Sequence, residues 1–159
     1  MNWTLLPAAN EHKPVLENLM QFYVYDFSEF IKYDVENTGL FAPYPHLEDY
    51  WKEGSYKYPY IIKVDEKYAG FVLVKFTGSG ERNYFSIAEF FVMKKYRREG
   101  IGKAIAFRVF NLHTGEWEVF QKDSNKPAQL FWNKIINEYT KGQFKERIED
   151  GRRIQNFKS

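Results

Sequence analysis

Two glycines separated by one residue, Gly100 and Gly102, give the sequence its clearest chemical signal, because basic residues flank them: Arg97, Arg98 and Lys103. An apolar, strand-like run precedes this segment and a helix-like run follows it. The first N–H groups of a helix have no partner within the helix, and glycine lets an anion approach the backbone closely. The spacing therefore predicts a pyrophosphate site at the start of a helix. A helix dipole contributes only about 0.3–1 kcal/mol, so most of the affinity has to come from charge-assisted hydrogen bonds.

Two common phosphate-binding signatures do not fit this segment. A Walker loop requires a glycine where Arg97 stands and a Ser or Thr where Ala104 stands. The dinucleotide-binding fingerprint requires a third glycine where Ile105 stands. The pattern that remains is [R/Q]-x-x-G-x-[G/A], matched by Arg97, Gly100 and Gly102. It resembles the acyl-CoA pyrophosphate loop of the GNAT superfamily of N-acetyltransferases.

A second motif lies further along the chain. Residues 125–132 read Asn-Lys-Pro-Ala-Gln-Leu-Phe-Trp, which is similar to the N-x-x-A-x-x-[FL]-Y segment of the same family, where a strand is followed by Asn and a helix. Two matches in the family's order make the resemblance specific. It covers the chain well from residue 60 to the C-terminus, and the first third by pattern only.

The resemblance implies a fold class, a domain organisation and a co-substrate. We expect an α/β protein with a GNAT-type fold, in which a central, mostly antiparallel sheet of about six to seven strands is splayed at the cofactor site and flanked by about four helices. A single acyltransferase domain is expected to span residues 1–159. The implied activity is transfer of an acetyl group from acetyl-CoA, the co-substrate, to a primary amine by direct attack in a ternary complex.

The resemblance also assigns cofactor-binding residues. In this family the strand before the phosphate loop pairs with the pantetheine arm of the cofactor, as an added strand would. Backbone N–H groups of the loop hold the pyrophosphate, basic side chains add charge, and the Asn of the second motif contacts the cofactor. Carried over to this chain, the residues are Phe90, Phe91 and Val92 on the strand, Arg97, Arg98, Gly100, Ile101, Gly102 and Lys103 in the loop, and Asn125.

Glu89 is the candidate general base. Attack requires a neutral amine, whose pKa is about 8 for an α-amine and roughly 10 for a lysine-like amine, so a base or a water chain has to accept its proton. Glu89 precedes the strand residues that pair with the pantetheine, and many family members carry a carboxylate on that strand. Alternation puts Glu89 and Phe91 on one face of the strand, but the sequence does not say which face borders the cleft. Glu118, on the following predicted strand, is the second choice.

The chain departs from the family at Trp132, which stands where many members have a Tyr that protonates the departing thiolate. An indole N–H cannot supply that proton, and Tyr139 or water is the alternative donor. Positioning two reactants contributes about 7–11 kcal/mol, against about 3–5 kcal/mol for one acid or base. The enzyme interpretation is therefore favoured. The alternative is a non-catalytic acyl-CoA-binding sensor or structural protein of the same fold.

Several of these residues also have structural interpretations. Asn125 can cap a helix, and Trp132 can pack in the core. The ring-rich stretch between residues 23 and 51 is mostly core by default, although the family builds its acceptor pocket largely from this early region. Asp26 and Glu29 in that stretch either attract a cationic amine or form a solvated helix face.

The pattern of apolar residues predicts the elements that position these motifs. A strand at residues 3–6 is followed by an amphipathic helix after Asn10, a second helix near 27–33 and a third near 47–52. Strands are predicted at 60–64, 68–76 and 84–92, with a loop at 78–83. A helical stretch through His113, a strand at 116–121, a helix from Pro127 to about Glu138 and a final hairpin complete the chain.

The composition excludes several classes of function. The chain contains no Cys, and its histidines, His12, His46 and His113, lie far apart, so we expect neither thiol chemistry nor a metal centre. An aromatic content of 19% is too high for a disordered chain.

The expected partners follow from charge and hydropathy. A net charge of +2 from interspersed bases, without an aromatic stacking module, does not favour nucleic acid. No apolar run approaches the roughly 20 residues of a membrane span, and the first residues do not resemble a signal peptide. We therefore expect a cytoplasmic protein with no membrane partner. The resemblance implies a small-molecule or peptide amine as acceptor, and it also allows a homodimer.

Overall fold

The computed structural model describes residues 1–159, with the side chain of Ser79 left aside. Seven strands and three α-helices follow one another along the chain. In chain order they are β1 (Trp3–Pro7), α1 (Lys13–Phe27), β2 (Lys57–Val64), β3 (Lys67–Ser79), β4 (Arg82–Val92), α2 (Ile101–Leu112), β5 (Glu116–Lys122), α3 (Lys126–Thr140), β6 (Lys145–Glu149) and β7 (Arg152–Lys158). Short 3-10 helices lie at Asn10–His12, Leu47–Trp51 and Lys94–Tyr96.

All seven strands form one sheet with the order β1-β2-β3-β4-β5-β7-β6. β1 pairs antiparallel with β2, and β7 pairs antiparallel with both β5 and β6. β4 and β5 run parallel, with Phe85 opposite Trp117. The predicted fold class is confirmed: the sheet has seven strands and is mostly antiparallel. The chain has three α-helices where the sequence predicted about four helices.

The chain divides into two compact units. Unit 1 comprises Met1–Leu73 and Glu89–Arg97, and unit 2 comprises Val74–Ala88 and Arg98–Ser159. The single domain over residues 1–159 stays a prediction. Among the described residues, no helix combines the length and the apolar character needed to cross a membrane.

In unit 1 the amphipathic helix α1 packs its apolar side into the core. Leu16, Leu19 and Met20 are buried, at the three-to-four-residue spacing of one helix face. Pro14 lies in the first turn of the helix, where a missing N–H costs nothing. The fully buried strand residues of this unit include Ile61, Ile62, Ala69, Phe71, Val72 and Leu73.

The helix predicted near residues 27–33 is wrong. α1 instead extends to Phe27, and the Ser28 hydroxyl donates to the Tyr25 carbonyl at 2.6 Å. The Ser28 side chain thus binds a carbonyl that the next helical N–H would otherwise use. The sequence did not reveal this helix end, because aromatic residues continue to recur at helical spacing beyond it. Near residues 47–52 the chain forms the 3-10 helix Leu47–Trp51.

In unit 2, helices α2 and α3 share a core of aromatic rings with β5 and β7. The Phe110 ring centroid lies 5.0 Å from that of Trp117 and 4.9 Å from that of Phe157. The predicted C-terminal hairpin is confirmed, and β7 is its inner strand, with Ile154, Gln155 and Phe157 buried. The predicted loop at 78–83 is shorter than expected, because β3 reaches Ser79 and β4 begins at Arg82.

Candidate functional site

Glu89 lies in unit 1, on the face of β4 that meets α1. The Tyr23 hydroxyl donates a short hydrogen bond to Glu89 Oε2, and the Tyr44 hydroxyl donates to Glu89 Oε1 at 3.1 Å. Phe91, on the same strand face, packs against Tyr23 with ring centroids 5.8 Å apart. The structure thus shows which residues border the strand face that carries Glu89 and Phe91. Sequence reasoning did not identify Tyr23 and Tyr44 as partners of Glu89.

The loop that carries Tyr44 is fastened at both ends. The Gln21 side chain on α1 donates to the Phe41 carbonyl at 3.0 Å and accepts from the Phe41 N–H at 2.9 Å. After the loop, Trp51 Nε1 donates to the Ala8 carbonyl at 2.9 Å. Both anchors connect the loop to elements of the same unit. Tyr44 is therefore held on a loop with little freedom to move away from Glu89.

The tyrosines around Glu89 are protonated donors at neutral pH. Burial, followed by the charge of Glu89, raises the pKa of Tyr23 and of Tyr44 well above the usual phenol value. The same two causes raise the pKa of Tyr50, which is buried on the short helix Leu47–Trp51. A phenol donates a hydrogen bond without cancelling the charge of a carboxylate. The cluster therefore combines one carboxylate with neutral hydroxyl donors.

The predicted pantetheine strand, residues 90–92, forms the end of β4. Phe91 and Val92 are buried, and Phe90 is partly buried. A Cβ atom at Gly70 would lie 2.0 Å from the Phe91 carbonyl oxygen, so only glycine allows β3 and β4 to approach this closely. The Met93 N–H then donates to the Ala69 carbonyl at 2.8 Å. The position of β4 just beyond Glu89 therefore depends on Gly70.

Arg97, predicted to add charge to the pyrophosphate site, fastens the end of β4 to α1. Its Nε donates to the Val92 carbonyl at 2.7 Å, and its Nη2 donates to Asp26 Oδ2 at 2.6 Å. Lys94 Nζ lies 3.5 Å from the other oxygen of Asp26. Asp26 therefore forms ion pairs within unit 1, an arrangement that neither sequence interpretation of this residue included.

In unit 2 the predicted phosphate loop leads into α2. Arg98 and Gly100 both have left-handed backbone conformations, with φ of 66° and 76°. α2 begins at Ile101 with Gly100 as its N-cap, and no side chain caps it. A Cβ atom at Gly100 would meet nothing within 4 Å, so backbone conformation, rather than lack of space, favours glycine there. Left-handed residues before a helix start turn successive N–H groups toward one concave surface, a geometry that suits an anion.

Lys103 forms an ion pair that the sequence did not reveal. Its Nζ lies 2.5 Å from Glu138 Oε2 on α3, and the ammonium group lies 5.7 Å from the Phe107 ring centroid. The charge of Lys103 is therefore shared with a carboxylate. The start of α2 therefore offers an anion its backbone N–H groups together with the exposed side chain of Arg98.

Asn125 caps α3. Its side-chain oxygen accepts a hydrogen bond from the Ala128 N–H at 3.1 Å, and Pro127 lies in the first turn of the helix. Gln129 supports this helix start by donating to the Lys122 and Asp123 carbonyls, at 2.9 Å each. The structural interpretation of Asn125 as a cap is confirmed, while its contact with the cofactor stays a prediction.

Trp132 and Tyr139 both lie on α3 and pack on rings of unit 2. Trp132 is 7% exposed, with its ring centroid 6.5 Å from that of Phe110, as the packing interpretation predicts. The Tyr139 hydroxyl donates to Asn111 Oδ1 at 2.7 Å, and burial raises its pKa. The proton of Tyr139 is thus engaged by Asn111.

Glu118, the second candidate base, is 8% exposed and held by two arginines. Arg82 Nη2 donates to Glu118 Oε2 at 2.9 Å, and Arg147 Nη2 donates to Glu118 Oε1 at 2.7 Å. Both oxygens of the carboxylate are thus engaged in ion pairs with side chains of unit 2. Glu118 is better explained as a structural residue of unit 2.

Known proteins of this fold place the chain in a family. The model of the acetyltransferase (GNAT) family matches residues 19–136. No curated protein sequence matches the chain.

Solved structures agree with that match. An acetyltransferase from Thermus thermophilus is 12% identical, with 100% of this chain and 98% of that chain covered and a TM-score of 0.71. A GNAT-family acetyltransferase from Staphylococcus aureus is 16% identical over 99% of this chain and 100% of that chain, with a TM-score of 0.67. The PaiA N-acetyltransferase from Thermoplasma acidophilum, in complex with coenzyme A, is 12% identical over 100% of both chains, with a TM-score of 0.66. This protein therefore belongs to the acetyltransferase (GNAT) family of enzymes, which use acetyl-CoA as acetyl donor.

Proposed function

We propose that this protein is an N-acetyltransferase that transfers the acetyl group of acetyl-CoA directly to a primary amine, carried by a small molecule or a peptide, with Glu89 as general base. The observation that carries the proposal is the Glu89 carboxylate, which accepts hydrogen bonds from Tyr23 and Tyr44. The carboxylate lies on β4, and the short 3-10 helix Lys94–Tyr96 connects this strand to residues 97–103, which match the family's phosphate loop.

Glu89 would act on the amine proton. A primary amine is mostly protonated at neutral pH, because its pKa is about 8 to 10. The carboxylate accepts one of these protons, and the nitrogen lone pair then attacks the thioester carbonyl. A C–N bond forms, the C–S bond breaks and the thiolate leaves. The nitrogen then releases its second proton, which passes through water to the thiolate, so that the products are the amide and the free thiol. The chain contains no Cys, which excludes a cysteine acyl-enzyme and supports direct transfer in a ternary complex.

For the donor, acetyl-CoA supplies an activated acetyl group, and the chain supplies groups that bind it. The left-handed Arg98 and Gly100 and the uncapped start of α2 fit a pyrophosphate. Since Arg97 and Lys103 are already paired with Asp26 and Glu138, we assign most of the pyrophosphate contact to the backbone N–H groups of residues 98–103. Phe90, Phe91 and Val92 are assigned to the pantetheine arm and Asn125 to a further contact.

The leaving thiolate has no assigned acid in this chain. The indole of Trp132 cannot supply a proton, and Tyr139 donates its proton to Asn111. An absent acid costs at most about 3–5 kcal/mol of catalysis, less than the roughly 7–11 kcal/mol that positioning contributes. Water is a sufficient proton donor for a thiolate, whose conjugate acid has a pKa of about 8.5.

The test is release of free thiol from acetyl-CoA across a panel of small amines and short peptides, for wild type, Glu89→Gln and the control Glu17→Gln. Glu17 is an exposed carboxylate on α1. We expect release that depends on one class of amine, a large loss in Glu89→Gln and no loss in the control. Acetyl-CoA should also raise the melting temperature of all three proteins.

The possible outcomes separate the alternatives. Stabilisation by acetyl-CoA without thiol release for any amine would contradict the enzyme and favour a sensor. An absence of stabilisation would contradict the assignment of residues 98–103 to the pyrophosphate. Full activity of Glu89→Gln would contradict only the choice of base.

A further inference from the structure

We infer that Tyr23 and Tyr44 are positioning residues, which hold the Glu89 carboxylate in one orientation and keep it ionised. Tyr23 is the fixed member of the pair, and Tyr44 is the member contributed by a loop. The role of these tyrosines in catalysis rests on the proposed function. Their hydrogen bonds to Glu89 lie within unit 1 and do not depend on that function.

The two tyrosines bind different oxygens of the Glu89 carboxylate. Each carboxylate oxygen accepts one phenol: Oε2 from Tyr23 and Oε1 from Tyr44. An ionised carboxylate has about four lone-pair positions, and the two phenols occupy one on each oxygen. Because the two donors lie on different oxygens, they oppose rotation of the carboxylate. Glu89 is thereby oriented by neutral donors, which leave the charge of the carboxylate in place.

Tyr23 is fixed by the rings around it. Its ring centroid lies 5.7 Å from those of Phe27 and Phe71, and 5.8 Å from that of Phe91. Phe27 belongs to α1, while Phe71 and Phe91 lie on strands of the same unit. These rings fix the position of the Tyr23 hydroxyl, which donates to Glu89 Oε2.

Tyr44 depends on the loop between residues 41 and 51. The reciprocal hydrogen bonds between Gln21 and Phe41 lie three residues before Tyr44. Pro43 and Pro45 flank Tyr44 and restrict the backbone on either side of it. The loop thus presents the second hydroxyl with little conformational freedom.

Tyr23, Tyr44 and Tyr50 are titratable groups that interact electrostatically with Glu89. All three stay neutral around pH 7, because burial and the negative charge of Glu89 raise each phenol pKa. A hydrogen bond to a carboxylate favours its charged form. Removing a donor therefore favours the protonated form, and Glu89 would bind its proton at a higher pH.

The first arm of the test does not require activity. The carboxyl carbon of Glu89 is titrated by NMR in wild type, Tyr23→Phe, Tyr44→Phe and the control Tyr25→Phe, with Glu89→Gln to assign the signal. Tyr25 is an exposed residue on the same helix. We expect the midpoint to rise by about one pH unit in Tyr44→Phe, by at least as much in Tyr23→Phe, and not at all in the control. Unchanged titration midpoints of Glu89 in both tyrosine variants would overturn the inference. If Tyr23→Phe does not fold, the midpoint in Tyr44→Phe alone tests the inference.

The second arm measures kcat/KM against pH with the accepted amine. In Tyr44→Phe the acidic limb should move to higher pH by the same amount as the NMR midpoint, while KM for acetyl-CoA stays unchanged. A midpoint that moves without the acidic limb would overturn the claim that the tyrosines act on the catalytic base. If wild type transfers no acetyl group, the proposed function fails, and the first arm still decides whether the tyrosines control Glu89.

Discussion

Two glutamates in this protein, Glu89 in unit 1 and Glu118 in unit 2, are each held by two side chains, but the donors differ in charge. Tyr23 and Tyr44 donate to the two oxygens of Glu89. Arg82 and Arg147 donate to the two oxygens of Glu118. A guanidinium neutralises a carboxylate, whereas a phenol orients it and leaves its charge in place. The same residue type is therefore suited to proton transfer in one unit and to structural support in the other.

The largest expected effect is on the rate of transfer. Glu89→Gln should lower kcat/KM for the accepted amine by about 10²–10⁴-fold at pH 7, the usual contribution of one general base. The measurement is thiol release, corrected for the folded fraction of protein. A matched Glu118→Gln variant should keep kcat/KM within a few-fold of wild type. Equal losses in the two variants would remove the distinction between the glutamates.

A change at Gly70 should affect the unit that carries Glu89. The new methyl group of Gly70→Ala would overlap the Phe91 carbonyl oxygen, so we expect a loss of about 2 kcal/mol or more in the free energy of unfolding. The displaced strand should also lower thiol release, because Glu89 lies two residues before Phe91. Urea denaturation measures the change in the free energy of unfolding. Ala69→Gly is the comparison variant, and we expect it to lower the free energy of unfolding by about 1 kcal/mol. Wild-type stability of Gly70→Ala would contradict the close approach of the two strands.

A change at Glu118 should act on stability. Glu118→Gln leaves two arginines without their carboxylate, and we expect about 1–3 kcal/mol less free energy of unfolding, between the values for exposed and buried ion pairs. The loss should exceed that of Glu89→Gln, where one tyrosine hydroxyl can donate to the amide oxygen and the other can accept a hydrogen bond from the amide NH2 group. Urea denaturation of both variants provides the comparison. The opposite order would show that Glu89, rather than Glu118, is the structural carboxylate.

The smallest expected effect concerns pH and His113 in unit 2. Burial lowers the pKa of this imidazole, so the unfolded chain binds a proton more readily than the folded chain. The stability contributed by neutral His113 is present above the unfolded pKa of about 6.5 and is lost as the pH falls below it. His113→Phe should therefore flatten the decrease in unfolding free energy between pH 7 and pH 5. If the unfolding free energy of His113→Phe falls with pH as steeply as that of wild type, His113 is not the group responsible for the decrease.

Local signals along the chain predicted much of the fold. The glycines at 100 and 102 and the cap at Asn125 correctly marked the starts of α2 and α3. The end of α1 was missed, because aromatic residues recur at helical spacing beyond Phe27 while Ser28 ends the helix through a local hydrogen bond. The spacing of apolar residues indicates which residues face the core. It does not indicate where a polar side chain binds a backbone carbonyl in place of a helical N–H and so ends the helix.

The site was less predictable than the fold, because its contacts are distant in sequence. Glu89 was identified as a candidate base, but its partners Tyr23 and Tyr44 lie 66 and 45 residues earlier. The contact between Arg97 and Asp26 spans 71 residues, and no local pattern predicts it. Such pairs depend on which face of the strand packs against α1. Alternation along one strand shows which residues share a face, but it does not show which face meets the helix, because tertiary packing determines that.

The most direct test of Glu89 as the base is the ratio of wild-type to Glu89→Gln activity as a function of pH. If Glu89 removes the proton from the amine, the ratio should be largest near pH 7. It should fall steadily as the pH approaches the pKa of the amine, because the acceptor then arrives neutral and needs no base. A ratio that stays constant from pH 7 to pH 10 would contradict the account, since it would mean that Glu89 supports the structure without taking the proton.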